Sequence, residues 1–232
     1  LLHGYANSLE GWSGLGDSLA RDHEVIALDL RGHGQSTKFT RQSDYGRYIA
    51  DDVVHLLDHL HIRRAHLVGH SMGALVAADI VERYPNRVAS ATLLAGPFWP
   101  DSAAAAHAVE RWDVDLDAGR GLTALMLWLV PGMDTATAQG INHDLMAAND
   151  PRALRAVLPT LGALTVGLSH APAVPVLIAA GGVDPLREYS HALASHWPRA
   201  RMLDLPTANH VTILSRPQVL AGIRELISAR RD

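Results

Sequence analysis

The sequence predicts an α/β fold built on a mostly parallel, doubly wound sheet. Short apolar runs alternate with segments of helical apolar spacing over residues 1–96 and again over residues 174–232. This alternation is typical of parallel strands joined by right-handed crossover helices. The strand-like runs are also continuously apolar, which is expected when a parallel sheet is covered on both faces. A chain of 232 residues is long enough for one such domain with a modest insertion.

The first part of the chain follows this alternation closely. Residues 1–4 resemble the end of a buried strand, so we expect the natural chain to begin earlier, with N-terminal strands and any signal peptide missing from this sequence. Turn-forming residues separate the segments that follow, as at residues 85–86. Apolar spacing predicts helices at residues 12–20, 45–60 and 74–84 and strands at residues 25–28, 65–68 and 88–94.

A Gly-x-Ser-x-Gly sequence, Gly-His-Ser-Met-Gly at residues 69–73, lies directly between a predicted strand and a predicted helix. Both glycines lack a Cβ, so strand and helix can approach closely, and Ser71 is expected in a strained conformation that exposes its hydroxyl. The backbone N–H of Met72 then points to where a negative oxygen would form. Because five-residue patterns recur by chance, a glycine-rich turn with a surface serine is the alternative. The flanking strand and helix favour a nucleophile elbow.

Residues 97–173 interrupt the alternation with an Ala/Leu-rich, helical sequence in which no strand is predicted. The run at residues 124–130 is apolar on all sides, so it needs cover on more than one face. We expect a helical cap here, inserted into a core formed by residues 1–96 and 174–232. Most of its apolar residues are expected to form the cap's own core, and Met126 and Trp128 are the best candidates to line an apolar pocket.

The alternation resumes with strands predicted at residues 174–180 and 201–205 and helices predicted at residues 188–197 and 217–230. Asp184 and His210 come just past the ends of these two strands. The carboxyl ends of parallel strands are where ligand sites form in open α/β sheets. An acid and a histidine are therefore expected at that edge.

Composition and local patterns exclude several classes of function. The net charge of −4 and the lack of a Lys/Arg cluster argue against a nucleic-acid partner. No apolar run reaches the ~18 residues of a membrane span. The chain has no cysteine, which excludes disulfides and thiolate metal sites.

Two further patterns are weighed and set aside as cofactor or metal sites. The glycine-rich residues 29–36 lack the third glycine of a dinucleotide fingerprint and the Gly-Lys-Ser/Thr of a P-loop, so they predict a structural loop. His55 and His59 have the spacing of two zinc ligands on a helix, but no Glu-bearing zinc motif accompanies them. A solvated helix face is the favoured interpretation, and we expect neither a cofactor nor a metal.

Five motifs carry a resemblance to a known family: His3-Gly4, Asp29-x-Arg31-Gly32-x-Gly34-x-Ser36, Gly69-His70-Ser71-Met72-Gly73, Gly182-x-Asp184 and Asn209-His210. Together and in this order they resemble the α/β-hydrolase superfamily, in its branch of small esterases, lactonases, C–C bond hydrolases and cofactor-free haloperoxidases. The resemblance covers the chain apart from residues 97–173, which correspond to the family's variable cap. The family departs from this sequence in having one or two more strands before His3 and in usually placing Gly where Asn209 stands.

The resemblance implies a triad of Ser71, Asp184 and His210, in the chain order that this fold uses. His210 would accept the proton of Ser71, and Asp184 would hold the other N–H of the imidazole. Asp101 is the rival acid, because some members place it after the preceding strand. We favour Asp184, which lies directly in a strand-end turn.

The same resemblance implies oxyanion-hole donors at the backbone of Tyr5 and Met72, a pocket-shaping role for His70 and a loop-bracing role for His3. It implies a serine hydrolase that cleaves a small to medium, mostly apolar carboxylic ester or lactone through an acyl-enzyme, without a cofactor. Apart from the resemblance, a cytoplasmic location is favoured, and export by a signal peptide in the missing N-terminal segment is the alternative. Serine at the elbow disfavours haloalkane dehalogenase and epoxide hydrolase activity, because those relatives carry Asp there. A haloperoxidase or perhydrolase, a C–C bond hydrolase or a ligand receptor of the same fold are the alternatives, and no oligomeric state is indicated.

Overall fold

A computed structural model describes residues 1–99, 103–106, 109–110, 116, 120–164 and 171–229. Its sheet consists of the strands Ala65–His70 (β1), Val88–Leu94 (β2), Val176–Gly181 (β3) and Arg201–Leu205 (β4). The strand order is β1-β2-β3-β4, and every neighbouring pair is parallel. The predicted parallel α/β fold is therefore confirmed.

The helices within the described residues include Ser13–Leu19 (α1), Tyr48–His59 (α2), Met72–Arg83 (α3), Thr123–Leu129 (α4), Thr135–Ala148 (α5), Pro151–Val157 (α6), Arg187–His196 (α7) and Pro217–Ser228 (α8). Short 3₁₀ turns include Leu9–Trp12, Leu158–Leu164 and Thr212–Ser215. Helix α2 begins three residues later than predicted. Gly46 just before it has a φ of 65°, which is incompatible with a continuous right-handed helix.

Among the described residues, the sheet is extended beside β1 only by isolated bridges between single residues. Leu2 bridges in parallel to both Leu28 and Gly69. Its N–H donates to the Val68 carbonyl at 2.9 Å, and its carbonyl accepts from the His70 N–H at 3.0 Å. The prediction of a strand at residues 25–28 is wrong for all but Leu28. In the described part of the chain their only bridge is that of Leu28 with Leu2. The Ile26 carbonyl accepts from the Leu1 amino group at 2.6 Å without forming a bridge, and these four residues are only half-buried.

Side chains of the strands alternate between two apolar layers, one on each face of the sheet. On one face Leu67, Leu93 and Ile178 pack in a cluster with residues of α2, α3 and α7. On the other face Val68, Leu94 and Ala179 pack with residues of α1 and α8. Helices on both faces explain why β3 has no polar residue and why β1 and β2 are mostly apolar.

Residues 97–173 contain helices and no strand among the residues that the structure describes. The turn Leu158–Leu164 contacts α3, and Leu154, Leu158 and Leu161 are buried in the same cluster as α3. This helical segment therefore packs onto the β1–α3 side of the sheet. Its limits as a separate cap at residues 97–173 remain a proposal.

Close packing of α3 against the edge of the sheet depends on Gly73. A Cβ at this position would collide with the Leu2 carbonyl, at 2.5 Å from its carbon. We expect Gly73→Ala to lower the free energy of unfolding by about 1–3 kcal/mol, the usual cost of overpacking. Gly140→Ala is the control, because a Cβ there meets nothing within 4 Å. It should stabilise α5 by roughly 0.5–1 kcal/mol. Urea denaturation of both variants tests this, and equal effects would contradict the packing argument.

Candidate active site

Ser71 forms the corner between β1 and α3. Its φ of 53° and ψ of −118° are in a region that non-glycine residues rarely adopt. The corner is held from both sides, because the Ser71 N–H donates to the Leu94 carbonyl at 2.9 Å and its carbonyl accepts from the Ala74 N–H at 2.9 Å. The expected strained backbone at Ser71 is therefore present, fixed by the neighbouring strand and by the first turn of α3.

Asp184 and His210 meet beyond the ends of β3 and β4. The His210 Nδ1 lies 3.0 Å from Asp184 Oδ2, and both side chains are at most 4% exposed. The other carboxylate oxygen accepts from the Leu186 N–H at 2.8 Å, which fixes the carboxylate plane. With Nδ1–H donated to the carboxylate, the neutral imidazole presents Nε2 as its basic atom.

The loop before His210 is organised by Asn209. The Asn209 side-chain oxygen accepts from the N–H groups of Val211 at 3.0 Å and Thr212 at 2.8 Å. The Thr212 hydroxyl in turn accepts from the Asn209 N–H at 3.0 Å. Asn209 also has no positive φ, so the glycine usual in the family is not required for this loop conformation.

Ser71 and His210 line the same cavity, which has a volume of about 320 Å³. Within the described part of the chain, no hydrogen bond joins the Ser71 hydroxyl to the His210 ring. Such contacts are often long without substrate and tighten in the reacting complex. The structure thus brings together the three residues predicted as a triad, with one of the two expected hydrogen bonds formed.

The cavity walls are mainly aliphatic and come from the helices at residues 123–148. Of the predicted pocket residues, His70 and Met126 line the cavity, whereas Trp128 lies outside it and is 39% exposed. Two positions along a helix correspond to about 200° of rotation, so Met126 and Trp128 point to opposite sides of α4. Sequence analysis missed most of the wall residues, including Leu125, Leu129, Val130, Met133, Ile141 and Leu145. Residues 125, 126 and 129 do share one face of α4, but the surrounding run is apolar on all sides, which hid this signal.

His70 connects the elbow to the loop of His210. Its Nε2 lies 2.8 Å from the His210 carbonyl and therefore donates, while its buried Nδ1 has no partner among the described residues. The two rings are 4.9 Å apart. Burial, followed by the neighbouring His210, lowers the pKa of His70 to about 3. His70 is thus neutral at ordinary pH. Its hydrogen bond to the His210 carbonyl links the elbow to the loop after β4.

His3 braces the turn that faces Ser71. The Leu30 N–H donates to His3 Nε2 at 2.9 Å, so the Nδ1–H donates to the Gly4 carbonyl at 2.8 Å. Burial lowers the pKa of His3 to about 4. A Cβ on Gly4 would lie 3.2 Å from the Ser71 Cβ, which places this turn directly against the elbow. Tyr5 follows in the turn and lines the cavity together with the first residue of α3.

His55, His59 and His66 lie away from this cavity. His66 Nδ1 is 2.7 Å from the Ser90 hydroxyl, but His66 precedes Ser71 by five residues, roughly 16 Å along an extended strand. His55 and His59 are exposed on α2, and no group of three potential metal ligands occurs among the described residues. Asp101 and His170 lie outside the described residues.

The fold and this site define an α/β hydrolase. The family model of the alpha/beta hydrolase fold matches residues 1–125, more than half of the chain. The chain belongs to the family of the alpha/beta hydrolase fold. No helix among the described residues has the length and apolar character required to span a membrane.

Three similar proteins illustrate the family. The dihydrolipoyllysine-residue acetyltransferase component of the acetoin cleaving system of Pseudomonas putida is 33% identical over 248 residues, which cover 97% of this chain and 63% of that protein. Fluoroacetate dehalogenase of a Burkholderia species is 34% identical over 98 residues, covering 40% of this chain and 32% of the relative. The chain therefore spans less than two thirds of the length of both relatives. The structure of a thermophilic esterase from Thermogutta terrifontis has a TM-score of 0.81 and 24% identity, covering 98% of this chain and 88% of that one.

The buried His33 ring beside the site makes stability depend on pH. His33 is fully buried, 5.2 Å from the His3 ring, and burial followed by His3 lowers its pKa to about 3. Between that value and the ordinary ~6.5, the unfolded chain binds more protons than the folded one, so stability falls as pH is lowered. Each such ring contributes a slope of up to about 1.4 kcal/mol per pH unit.

We expect His33→Gln to reduce the slope of unfolding free energy between pH 6 and pH 4.5 by about 1 kcal/mol per pH unit. Urea titrations at several pH values measure the slope. His55→Gln, on the exposed face of α2, is the control and should keep the wild-type slope. Parallel slopes for His33→Gln and the wild type would show that His33 does not remain neutral in the folded protein.

Proposed function

We propose that this hydrolase cleaves carboxylic esters through an acyl-enzyme on Ser71. The hydrogen bond between His210 and Asp184, beside a cavity that also exposes Ser71, is the observation that carries the proposal. His210 Nε2 takes the serine proton as the oxygen attacks the acyl carbonyl, and Asp184 stabilises the imidazolium. The imidazolium then protonates the leaving alcohol. Water, activated by the same ring, hydrolyses the acyl-enzyme.

The proposed oxyanion hole consists of the backbone N–H groups of Met72 and Tyr5. Met72 is the first residue of α3, where N–H groups have no intrahelical acceptor and the helix dipole is positive. Tyr5 lies in the turn that packs against the elbow at Gly4. One preorganised donor of this kind is typically worth ~3 kcal/mol of transition-state stabilisation.

The cavity favours an uncharged, aliphatic substrate group. None of its described lining residues is Asp, Glu, Lys or Arg, so a charged substrate would lose hydration without gaining a partner. Leucine, isoleucine, valine and methionine dominate the wall, and the flexible Met126 and Met133 can adapt to different chains. We propose a small to medium acyl ester or lactone as substrate, with residues 97–173 as the cap that supplies this wall to the core at residues 1–96 and 174–232.

The elbow serine separates this proposal from other activities in the family. Fluoroacetate dehalogenase is among the relatives, but the resemblance associates that chemistry with Asp at the elbow, where this chain has Ser71. Haloperoxidase, perhydrolase and C–C bond hydrolase activities can use the same three residues, and an intact triad is also compatible with a receptor of the same fold. Ester turnover therefore has to be tested directly.

We expect the protein to turn over p-nitrophenyl esters repeatedly, with higher kcat/KM for medium aliphatic chains than for acetate. A serine-directed phosphonate should label Ser71 stoichiometrically, and Ser71→Ala should abolish both labelling and turnover while circular dichroism stays unchanged. Ser90→Ala is the control, because Ser90 pairs with His66 away from the cavity. Turnover by Ser71→Ala at a wild-type rate would refute the nucleophile, and one slow stoichiometric burst would indicate a receptor.

The acid of the triad can be tested separately. Asp184→Asn removes the carboxylate that accepts from His210 Nδ1, so the imidazole loses its correct tautomer. We expect kcat to fall by about 10⁴, the loss typical of a neutralised triad aspartate. Asp101→Asn, at the rival position, should have little effect. Steady-state kinetics on one ester decides between them, and the opposite ranking would move the acid to Asp101.

A further inference from the structure

Asn149 connects the helical segment to the turn beside Ser71. It follows the C-terminus of α5 and is only 8% exposed. Its amide nitrogen donates to the Ala6 carbonyl at 2.9 Å and to the Leu145 carbonyl at 2.9 Å, and its amide oxygen faces the Gly34 N–H at 3.4 Å. Three backbone groups far apart in sequence are thus held by one side chain.

The turn held by Asn149 has a strained backbone. Ala6 is fully buried and has a φ of 59°, which costs a non-glycine residue of order 1–3 kcal/mol unless its surroundings impose it. The Asn7 N–H closes the turn on the Gly4 carbonyl at 3.2 Å. The Asn149 bond to the Ala6 carbonyl therefore fixes a peptide orientation that the free turn would not prefer.

A second bond joins the same turn to the same helical segment. The Tyr5 hydroxyl donates to the Leu154 carbonyl in α6 at 3.0 Å. Asn149 lies in the short connection between α5 and α6. Both attachments of the turn are therefore at the α5–α6 corner. Asn149 lies two residues before the start of α6, and Leu154 lies three residues after it.

We propose that Asn149 is a positioning residue. By holding the Ala6 carbonyl, it fixes the conformation of the turn and so directs the Tyr5 N–H toward the oxyanion. The inference rests on the proposed ester hydrolysis, because only a tetrahedral intermediate on Ser71 makes use of that N–H. Asn149 does not touch the reacting atoms. Its contribution is to transmit the position of the α5–α6 corner to the oxyanion hole, so that transition-state binding depends on the helical segment being in place.

Three variants test this proposal, and two of them are Asn-to-Asp changes that preserve the shape of the side chain. Asn149→Asp keeps the shape of the side chain but replaces the donor to Ala6 with an oxygen that repels the carbonyl. Asn142→Asp is the matched control, because Asn142 Oδ1 accepts from the Leu122 N–H at 2.6 Å within the helical segment and the carboxylate retains that acceptor. Tyr5→Phe removes the second attachment without removing the backbone N–H.

We expect Asn149→Asp to lower kcat by about 10-fold with KM within twofold of wild type, since complete loss of an oxyanion donor costs about 10²–10³. Its affinity for an alkyl trifluoromethyl ketone, which forms an oxyanion adduct with serine, should fall by the same factor. Tyr5→Phe should show a smaller change of the same kind. Asn142→Asp should match the wild type in all three quantities.

Hydrogen exchange of the peptide at residues 4–9 provides a readout that does not depend on catalysis. It should accelerate in Asn149→Asp and stay unchanged in Asn142→Asp. An unaltered kcat and ketone affinity in Asn149→Asp, in a wild-type background that hydrolyses esters, would overturn the inference. If the wild type neither hydrolyses esters nor binds the ketone, the proposed function fails instead, and the exchange experiment still decides whether Asn149 holds the turn.

Discussion

The contact between Gly73 and the backbone of Leu2 is the constraint on which the rest of the site depends. The surrounding backbone leaves no room for a Cβ at Gly69 or Gly73. Because glycine has no Cβ, β1 can turn into α3 within one residue. That residue is Ser71, which has to adopt its positive φ for the corner to close. The position of the hydroxyl and the direction of the first helical N–H groups thus follow from backbone packing, before any catalytic interaction is considered.

The sheet also fixes the second half of the site. The Gly182 N–H donates to the Leu205 carbonyl at 2.8 Å, and the Val183 N–H donates to the Ala208 carbonyl at 3.1 Å, so the loops after β3 and β4 run side by side. This pairing brings Asp184 to His210 although 26 residues separate them. The proposed acid and base are therefore aligned by main-chain register, and the side-chain hydrogen bond only completes the arrangement.

Features with a local sequence signal could be predicted, and features created by long-range contacts could not. Most strands and helices follow from apolar periodicity, although the run at residues 25–28 forms no strand. The three polar residues of the candidate site follow from their places at strand ends together with the family's motifs. The face of α4 that lines the cavity could not be predicted, because residues 124–130 are apolar on every side. Nor could Asn149, whose partner Ala6 is 143 residues away and whose importance arises from the φ of that alanine.

The hydrogen bond from His70 to the His210 carbonyl has a dynamic consequence. Because His70 immediately precedes Ser71, this bond ties the backbone of the proposed base to the backbone of the proposed nucleophile. We therefore expect displacement of the loop at residues 209–212 to be coupled to displacement of the elbow, which would limit changes in the separation between Ser71 and the His210 ring. The turn at residues 4–7 is instead attached to α6 and to the residue that follows α5. In the proposed mechanism, small displacements of these helices would therefore change how well the Tyr5 N–H stabilises the oxyanion. They would leave the geometry of proton transfer between Ser71 and His210 unchanged.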